Sequence, residues 1–173
     1  MNRGEILARG VNDSKALLAR YLNGFTDANH TRQAPGLPNH AAWCLGHCAL
    51  TMHRASEKLD GRTLPESHFI LNQSRGDADR FGTESICFAS TPVDDPAAYP
   101  GLSRCVTIFD AACDRLASAA RTAPEARLDE QVKWGAGEAT LESLVLRMVF
   151  HNGTHCGQIT DLRRALGLGS IFG

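Results

Sequence analysis

The sequence predicts an all-α protein, an antiparallel four-helix bundle with a long loop between the second and third helices. Four segments of the 173-residue chain place apolar residues at steps of three and four, the period of one buried helical face. The connections between these segments are rich in turn-forming residues and show no convincing sheet. The length suits a single domain over residues 1–173, whose core needs no disulfides.

The first predicted helix covers about residues 2–25. Its apolar stripe runs from Leu7 to Leu18 and beyond, but the polar piece VNDSK interrupts it. Because Ser14 is a suitable N-cap for a second helical piece, we predict one bent helix. The linker TDANHTRQAPGLP that follows is rich in turn formers, and we expect its His30 to face solvent.

The second predicted helix begins after Asn39, a good N-cap, and stops at Asp60 and Gly61. One face carries His40, Trp43, His47, Leu50 and Arg54 in steps of three and four. His47 is therefore a candidate for the bundle interior. His40 shares nearly the same face, but seven residues correspond to roughly 10 Å of rise, too far for both histidines to bind one ion. His53 lies six residues after His47 and about 120° around the helix from it, so we expect it at the surface or between helices.

Residues 61–100 carry glycine, proline, aspartate and serine throughout and sustain no helical stripe. A loop of this length is uncommon in a compact domain unless it has a function. The pieces HFIL and ICFA are either short strands or segments that tuck into the bundle, and His68 could reach the site. The apolar side chains that must be buried are Phe69, Ile70, Leu71, Phe81, Ile86 and Phe88. We expect the loop to cover the pocket and determine the substrate, or else to form an interface between two subunits.

The third predicted helix has Pro100 in its first turn, a position that proline favours. Its core face runs from Leu102 to Ala120, and the helix ends near Thr122. In the connector that follows, the piece QVKW can be extended. Thr140 then caps the fourth helix.

The stretch 144–166 of the fourth predicted helix carries two histidines on its apolar stripe. Its inward positions are Leu144, Met148, His151, His155, Ile159, Leu162 and Leu166. Because His151 and His155 lie about one turn apart, their rings can chelate one metal ion. Burying an unpartnered imidazole costs about 1–3 kcal/mol, and Gly153 and Gly157 each cost roughly 1 kcal/mol against alanine. A metal bound by both rings would offset these costs. The alternative is ordinary core histidines bonded to carbonyls or water.

Composition excludes several classes of function. The formal net charge of −1 argues against a general nucleic-acid or anionic-membrane binder, because both need a basic surface. The sequence contains neither an apolar N-terminal segment of signal-peptide length nor a run of about eighteen apolar residues, so we expect a cytoplasmic protein. The six cysteines include no C-x-x-C pair, and we expect buried free thiols.

Two motifs connect the chain to a known family. The piece WCLGH, from Trp43 to His47, is a W-x-x-x-H pattern, and HNGTHCGQ, from His151 to Gln158, is an H-x-x-x-H-x-G-Q pattern. Together they resemble the DinB-like family of metal-binding four-helix bundles, and the helix count, the helix order and the trailing LRRALGL agree with it. One departure is Thr154, where many members have a histidine directly before the last ligand.

The resemblance implies one divalent transition metal, zinc or nickel, held by His47, His151 and His155. It also implies a homodimer, and relatives that act as metal-dependent thiol transferases or isomerases with low-molecular-weight thiols. Trp43 and Gln158 neighbour these histidines along their own helices, so we expect them to support the site indirectly. The alternative is that Trp43 is plain core and Gln158 bonds across helices.

Three neutral nitrogen ligands leave an ion with an open coordination position, the arrangement typical of a catalytic site. We therefore expect a thiol-dependent transferase, isomerase or hydrolase acting on a small molecule. The alternative is a non-catalytic metal- or ligand-binding bundle, for example a stress-related one. Asn152 stands where an H-E-x-x-H metalloprotease needs glutamate. The sequence identifies no catalytic residue, and the candidate general bases are Asp77, Asp79, Glu84, Asp94 and Asp95.

Overall fold

The computed structural model describes residues 2–171 and contains four long helices with two small sheets. The helices are α1 (Arg3–Tyr21), α2 (Ala41–Asp60), α3 (Leu102–Thr122) and α4 (Leu141–Ala165). Strands β1 (Phe69–Ile70) and β2 (Phe81–Gly82) pair in parallel, and β3 (Gln131–Trp134) and β4 (Gly137–Thr140) form an antiparallel hairpin. The prediction of a mainly helical, four-helix protein is confirmed. The expectation of no sheet is wrong, although QVKW is extended as predicted.

Each helix packs against two others around a shared core. Helix α1 contacts α3 and α4, and α2 also contacts α3 and α4. The large buried side chains of this core include Leu18, Leu45, Leu50, Met52, Ile108, Phe109, Leu116 and Leu141. All six cysteines are free, and five of them are buried. The core brings the inner faces of α2 and α4 together, whereas the antiparallel order of the helices stays a prediction.

None of the helices in the described part of the chain combines the length and the apolar character needed to cross a membrane.

Helix α1 is continuous, so the prediction of a second helical piece starting at Ser14 is wrong. Asn2 and Glu5 form a capping box at its start. The buried hydroxyl of Ser14 donates to the carbonyl of Val11 and accepts a hydrogen bond from the amide of Asn152 on α4. Because the hydroxyl bonds a carbonyl one turn back within the same helix and a side chain on α4, it is satisfied without ending the helix.

The linker before α2 is tied to the start of α3 by His30, which is buried and not solvent-exposed as expected. Its Nδ1 and Nε2 atoms lie 3.0 and 3.1 Å from the carbonyl oxygens of Asp27 and Pro100. Helix α3 begins at Leu102 with Gly101 as its N-cap. Pro100 therefore precedes the helix instead of opening it, and its carbonyl is free to bond His30.

The N-cap of α2 is His40 and not Asn39. The Nδ1 atom of His40 accepts a 3.1 Å hydrogen bond from the backbone N–H of Trp43. Its Nε2 atom lies 3.1 Å from the carbonyl of Val93, to which it donates. An imidazole can accept with one nitrogen and donate with the other, so this cap also fastens the long loop to α2. Asn39 instead bonds Gln158 on α4.

The long loop between α2 and α3 folds onto α2. Phe69, Phe81 and Ile86 are buried, as expected for part of its apolar set, whereas Leu71 and Phe88 are 54% and 89% exposed, contrary to the expectation. Gly46 on α2 permits this packing, because a Cβ atom there would lie 2.7 Å from the ring of Phe81. The piece HFIL contributes β1, but ICFA forms no strand.

A Gly4→Ala substitution in α1 is expected to destabilise the protein. A Cβ atom at Gly4 would lie 2.4 Å from the carbonyl oxygen of Ala120 on α3, which cannot move without separating the two helices. The matched control is Gly153→Ala in α4, where a Cβ would meet no atom within 4 Å. Alanine should there raise the free energy of unfolding by about 1 kcal/mol. Urea unfolding measures both, and equal stabilisation by the two substitutions would contradict the close approach of α1 and α3.

Candidate metal centre

The structure brings His47 of α2 together with His151 and His155 of α4. One ring nitrogen from each residue lies within 4.8 Å of the other two, with His47 and His155 buried and His151 half-buried. The Nε2 atoms of His151 and His155 are 3.3 Å apart. Two nitrogen ligands of a tetrahedral ion with bonds of about 2.0–2.1 Å are also about 3.3 Å apart. The spacing of this pair therefore suits a shared ion.

Hydrogen bonds at Nδ1 orient two of these rings. The Nδ1 atom of His47 lies 2.7 Å from the carbonyl oxygen of Ile86, and since a carbonyl only accepts, this nitrogen carries the proton. The Nδ1 atom of His155 lies 2.9 Å from Oε1 of Gln158, which also accepts from the amide of Asn39 at 2.9 Å. Both rings thus keep an unprotonated Nε2 atom with a free lone pair.

The third ring follows the same pattern. The Nδ1 atom of His151 lies 3.4 Å from the hydroxyl of Thr51. That hydroxyl donates its own proton to the carbonyl of His47 or Cys48 on the same helix, so it accepts from His151. With the proton of each ring on Nδ1, the Nε2 lone pairs face one another, an arrangement that a bound cation stabilises. This donor set fits one divalent ion of the kind that imidazole ligates.

Burial keeps the three rings neutral. Loss of solvation, followed by the nearby rings of His155 and His47, lowers the pKa of His151 to about 3. Burial likewise lowers the pKa of His155 to about 4. It also lowers the pKa of His47, against the opposing bond to Ile86 and with help from the charge of Arg54. Since neutral imidazole is the form that binds a metal, the rings are ready to bind at neutral pH.

Trp43 packs directly against this group. Its ring stacks on His47 with centroids 4.5 Å apart and planes 14° apart, and its centroid lies 5.8 Å from that of His155. Its indole N–H donates to the hydroxyl of Ser90 at 2.9 Å. Trp43 is therefore both a core residue and a neighbour of the site. Gln158 similarly bonds His155 and a residue across the helix interface, so the two roles weighed for each side chain coexist.

The three histidines line a cavity of about 960 Å³. Two segments outside the helices contribute to its wall: residues 87–90 of the long loop, and residues 134–138 at the turn of the β3–β4 hairpin. Only a short part of the loop expected to cover the pocket therefore does so. The hairpin was missed as a part of the site, although the turn-forming piece WGAG was visible in the sequence.

The remaining sequence candidates lie elsewhere. The Nδ1 atom of His68 is 3.4 Å from Nε2 of His53, on a different face of α2. None of the carboxylates considered as general bases lines the cavity: Asp77, Asp79, Glu84, Asp94 and Asp95. Among residues 2–171, the acidic side chain that does line it is Glu138 in β4. Two arginines also line it: Arg54, which was placed on the face of His47 but given no role, and Arg147, which was not singled out because an arginine on a helix is ordinary in sequence.

A second polar cluster joins α2, α3 and the start of the long loop. Arg115 donates to both carboxylate oxygens of Asp60 at 2.8 and 2.9 Å, to Nδ1 of His53 at 3.1 Å, and to the carbonyls of Arg62 and Thr63. Burial, and then the charge of Arg115, lowers the pKa of His53 to about 3. Burial opposes ionisation of Asp60, but the hydrogen bonds from Arg115 and Arg62 outweigh it and hold its pKa below the usual range. His53 thus lies between helices, one of its two expected positions.

Four helices that place three histidines beside a cavity define a helical protein with a candidate metal centre. Residues 12–159 of the chain match the family model of the DinB superfamily. The chain belongs to the DinB superfamily, as its two motifs predicted. Proteins of this superfamily often bind a metal.

The fold is also similar to a solved structure, described as the crystal structure of the conserved protein of locus from Enterococcus faecalis. The TM-score is 0.74, and the likeness covers 96% of this chain and 99% of that one at 15% sequence identity. At this identity the likeness shows the fold alone. Among curated proteins, none matches this chain.

A Gln158→Ala substitution is expected to weaken metal binding by about 10–100-fold, the usual effect of losing a group that orients a ligand ring. Asn39→Ala is the control, because it removes the bond across the helices and leaves the contact between Gln158 and His155 intact. Competition with a chromogenic chelator measures affinity, and thermal unfolding measures stability. If Gln158→Ala lowered stability and left metal affinity unchanged, its role would be limited to bonding across the helices.

The cluster around Arg115 should make the protein sensitive to acid. Between pH 6.5 and about 3 the unfolded chain protonates His53 while the folded chain does not, so the free energy of unfolding falls as the pH falls. A His53→Gln variant should lose up to about 1.4 kcal/mol per pH unit of this dependence. For Asp60 the stabilisation is present above its unfolded pKa of about 3.9 and is lost below it. Asp60→Asn should therefore change the pH dependence only below about pH 4. Urea unfolding across this pH range is the measurement, and identical profiles for His53→Gln and the wild type would contradict the assignment.

Proposed function

We propose that the protein is a metal-dependent enzyme acting on a small molecule, with one divalent ion, zinc or nickel, bound by His47, His151 and His155. One observation carries the proposal: three neutral rings, each bonded through Nδ1, direct their remaining nitrogens to one place on the wall of a cavity of about 960 Å³. A cavity of this size suits a small-molecule ligand.

The number of ligands favours a catalytic site over a structural one. Within residues 2–171 the group of potential ligands consists of the three histidines, whereas structural zinc sites use four protein ligands. When bound, the ion would supply a Lewis acid with a coordination position open to substrate. The chain's own residues hold the rings in place, with Ile86 and Gln158 orienting two of them and Trp43 excluding water from one face of His47.

The reaction class we propose is thiol-dependent transfer or isomerisation, with hydrolysis as the third option. The motifs shared with the DinB-like family support the use of a low-molecular-weight thiol. Cys87 lines the cavity, but burial and the nearby Glu84 raise its pKa, and only a thiolate is a strong nucleophile. A thiol supplied by a small molecule therefore suits this site better than a thiol of the protein.

The proposal includes the arrangement of the whole protein: a single domain built as an antiparallel four-helix bundle, and a homodimer in the cytoplasm. The resemblance supports the dimer. So does an outer face of α4 that exposes Phe150 and Leu146 at 75% and 42%, with open space beyond Gly153. Apolar residues gathered on one exposed face are typical of protein interfaces.

Metal analysis of protein purified without a polyhistidine tag tests the site. We expect one equivalent of a divalent ion in the wild type and its loss in His47→Ala and His155→Ala. The control is His68→Ala, which removes a histidine paired with His53 and should retain the ion. A His155→Ala variant that kept a full equivalent would disprove the three-histidine site.

Catalysis is tested separately with a small thiol and 1-chloro-2,4-dinitrobenzene. A carbon–sulfur bond forms, the carbon–chlorine bond breaks and chloride leaves, which the absorbance of the product reports. Ester hydrolysis is the second assay. Activity should disappear on metal removal and return with the ion. A fully loaded protein that accelerates neither reaction would favour a non-catalytic metal-binding protein.

A further inference from the structure

We infer that the cavity binds a small molecule carrying a carboxylate, and that Arg54 and Arg147 hold this anionic group. The inference rests on the proposed function, because it names the class of ligand for the same site. It is carried by the position of the two arginines, by their lack of partners and by the charge of the lining.

The two arginines enter the cavity from facing helices. Arg54 lies on α2, seven residues or roughly 10 Å of rise beyond His47, and Arg147 lies on α4, four residues or about 6 Å before His151. Both line the cavity together with the three histidines. A ligand held at the arginines therefore occupies the same cavity as the histidines, whose volume of about 960 Å³ suits a small molecule.

Both guanidinium groups are available to a ligand. Within residues 2–171 neither Arg54 nor Arg147 donates a side-chain hydrogen bond or forms an ion pair. Other arginines of the chain, such as Arg3, Arg80 and Arg115, are paired with carboxylates at 2.7 to 2.8 Å. A guanidinium carries five donors in a planar fork that matches a carboxylate. The cavity thus contains two such forks without an acceptor.

The lining of the cavity is also positively charged on balance. Glu138 is the acidic residue of the lining in the described part of the chain, and it forms no ion pair with either arginine. Two guanidinium groups face one carboxylate, and a bound divalent ion would add further positive charge. A partly enclosed wall with a net positive charge concentrates anionic ligands. Both arginines are exposed, so a neutral or cationic small molecule would leave their guanidinium groups bonded to water and gain nothing from them.

The test compares two thiols of equal length, 3-mercaptopropionate and 3-mercaptopropanol, by isothermal titration calorimetry with the metal-loaded protein. We expect the carboxylate to bind about tenfold more tightly, as charge-assisted hydrogen bonds allow. Arg54→Gln and Arg147→Gln should each reduce this preference, and the double variant should abolish it. The control is Arg32→Gln, which removes an exposed arginine outside the cavity and should leave the preference unchanged.

Two results would overturn the inference: equal affinity of the wild type for the two thiols, or a preference that survives in the double variant. The metal content of every variant is measured in parallel, so that loss of the ion is distinguished from loss of the anion site. If the wild type holds no metal, the proposed function fails, and propionate is then compared with propanol in the metal-free protein. A preference for propionate that disappears in the double variant supports the arginine site without the metal, and any other result overturns it.

Discussion

The hydrogen bond between Nδ1 of His47 and the carbonyl of Ile86 connects the candidate metal centre to the rest of the fold. It fixes the tautomer of the ring, and it makes the position of the ring depend on the long loop. The loop reaches α2 because Gly46 has no side chain, so Phe81 and Ile86 can pack where a Cβ atom would collide with them. The geometry of the site is therefore set by a packing contact made directly beside His47 on the same helix.

The buried imidazoles pose an energetic problem that the protein solves only in part. Each of the three rings finds a partner at Nδ1: a carbonyl, a side-chain amide or a hydroxyl. In the tautomers with Nδ1 protonated, the Nε2 atoms of His151 and His155, 3.3 Å apart, share no proton, so the chain does not offset the cost of burying this half of each ring. A cation that binds only the folded state would offset it and would stabilise the fold by the free energy of its binding. Stability and metal occupancy are expected to be linked for this reason.

The sequence predicted the features that depend on local periodicity and missed those that depend on distant partners. The four helices and the inward positions of His47, His151 and His155 follow from the spacing of apolar residues, which tertiary packing preserves. The cap of α2 could not be predicted in this way, because Asn39 is drawn to Gln158 on another helix and His40 takes its place. The parallel pairing of β1 and β2 and the burial of His30 likewise depend on contacts between residues that are far apart in sequence.

Arg54 and Arg147 show the same limit of sequence-based prediction within the candidate metal centre. Periodicity placed Arg54 on the face of His47 but gave no sign that it lines a cavity, and it gave no sign at all for Arg147; only the structure shows both in the lining. What distinguishes these two is that they combine the lack of a protein partner with a place in the lining of the histidine cavity, and both properties depend on the neighbouring elements.

The two non-helical segments of the cavity wall differ in how far they are tied to the histidines. Residues 87–90 follow directly after Ile86, and Ser90 accepts from the indole of Trp43, so a change of length there would disturb the bond that orients His47. Within the described residues, no hydrogen bond links the hairpin turn at 134–138 to any of the three histidines. Binding determinants carried on loops can change while the scaffold stays fixed. The hairpin is therefore the part of the wall where substrate preference can change at the least cost to the metal centre. Residues 87–90 of the loop are constrained by the bond between Ile86 and His47 and by the bond between Ser90 and Trp43.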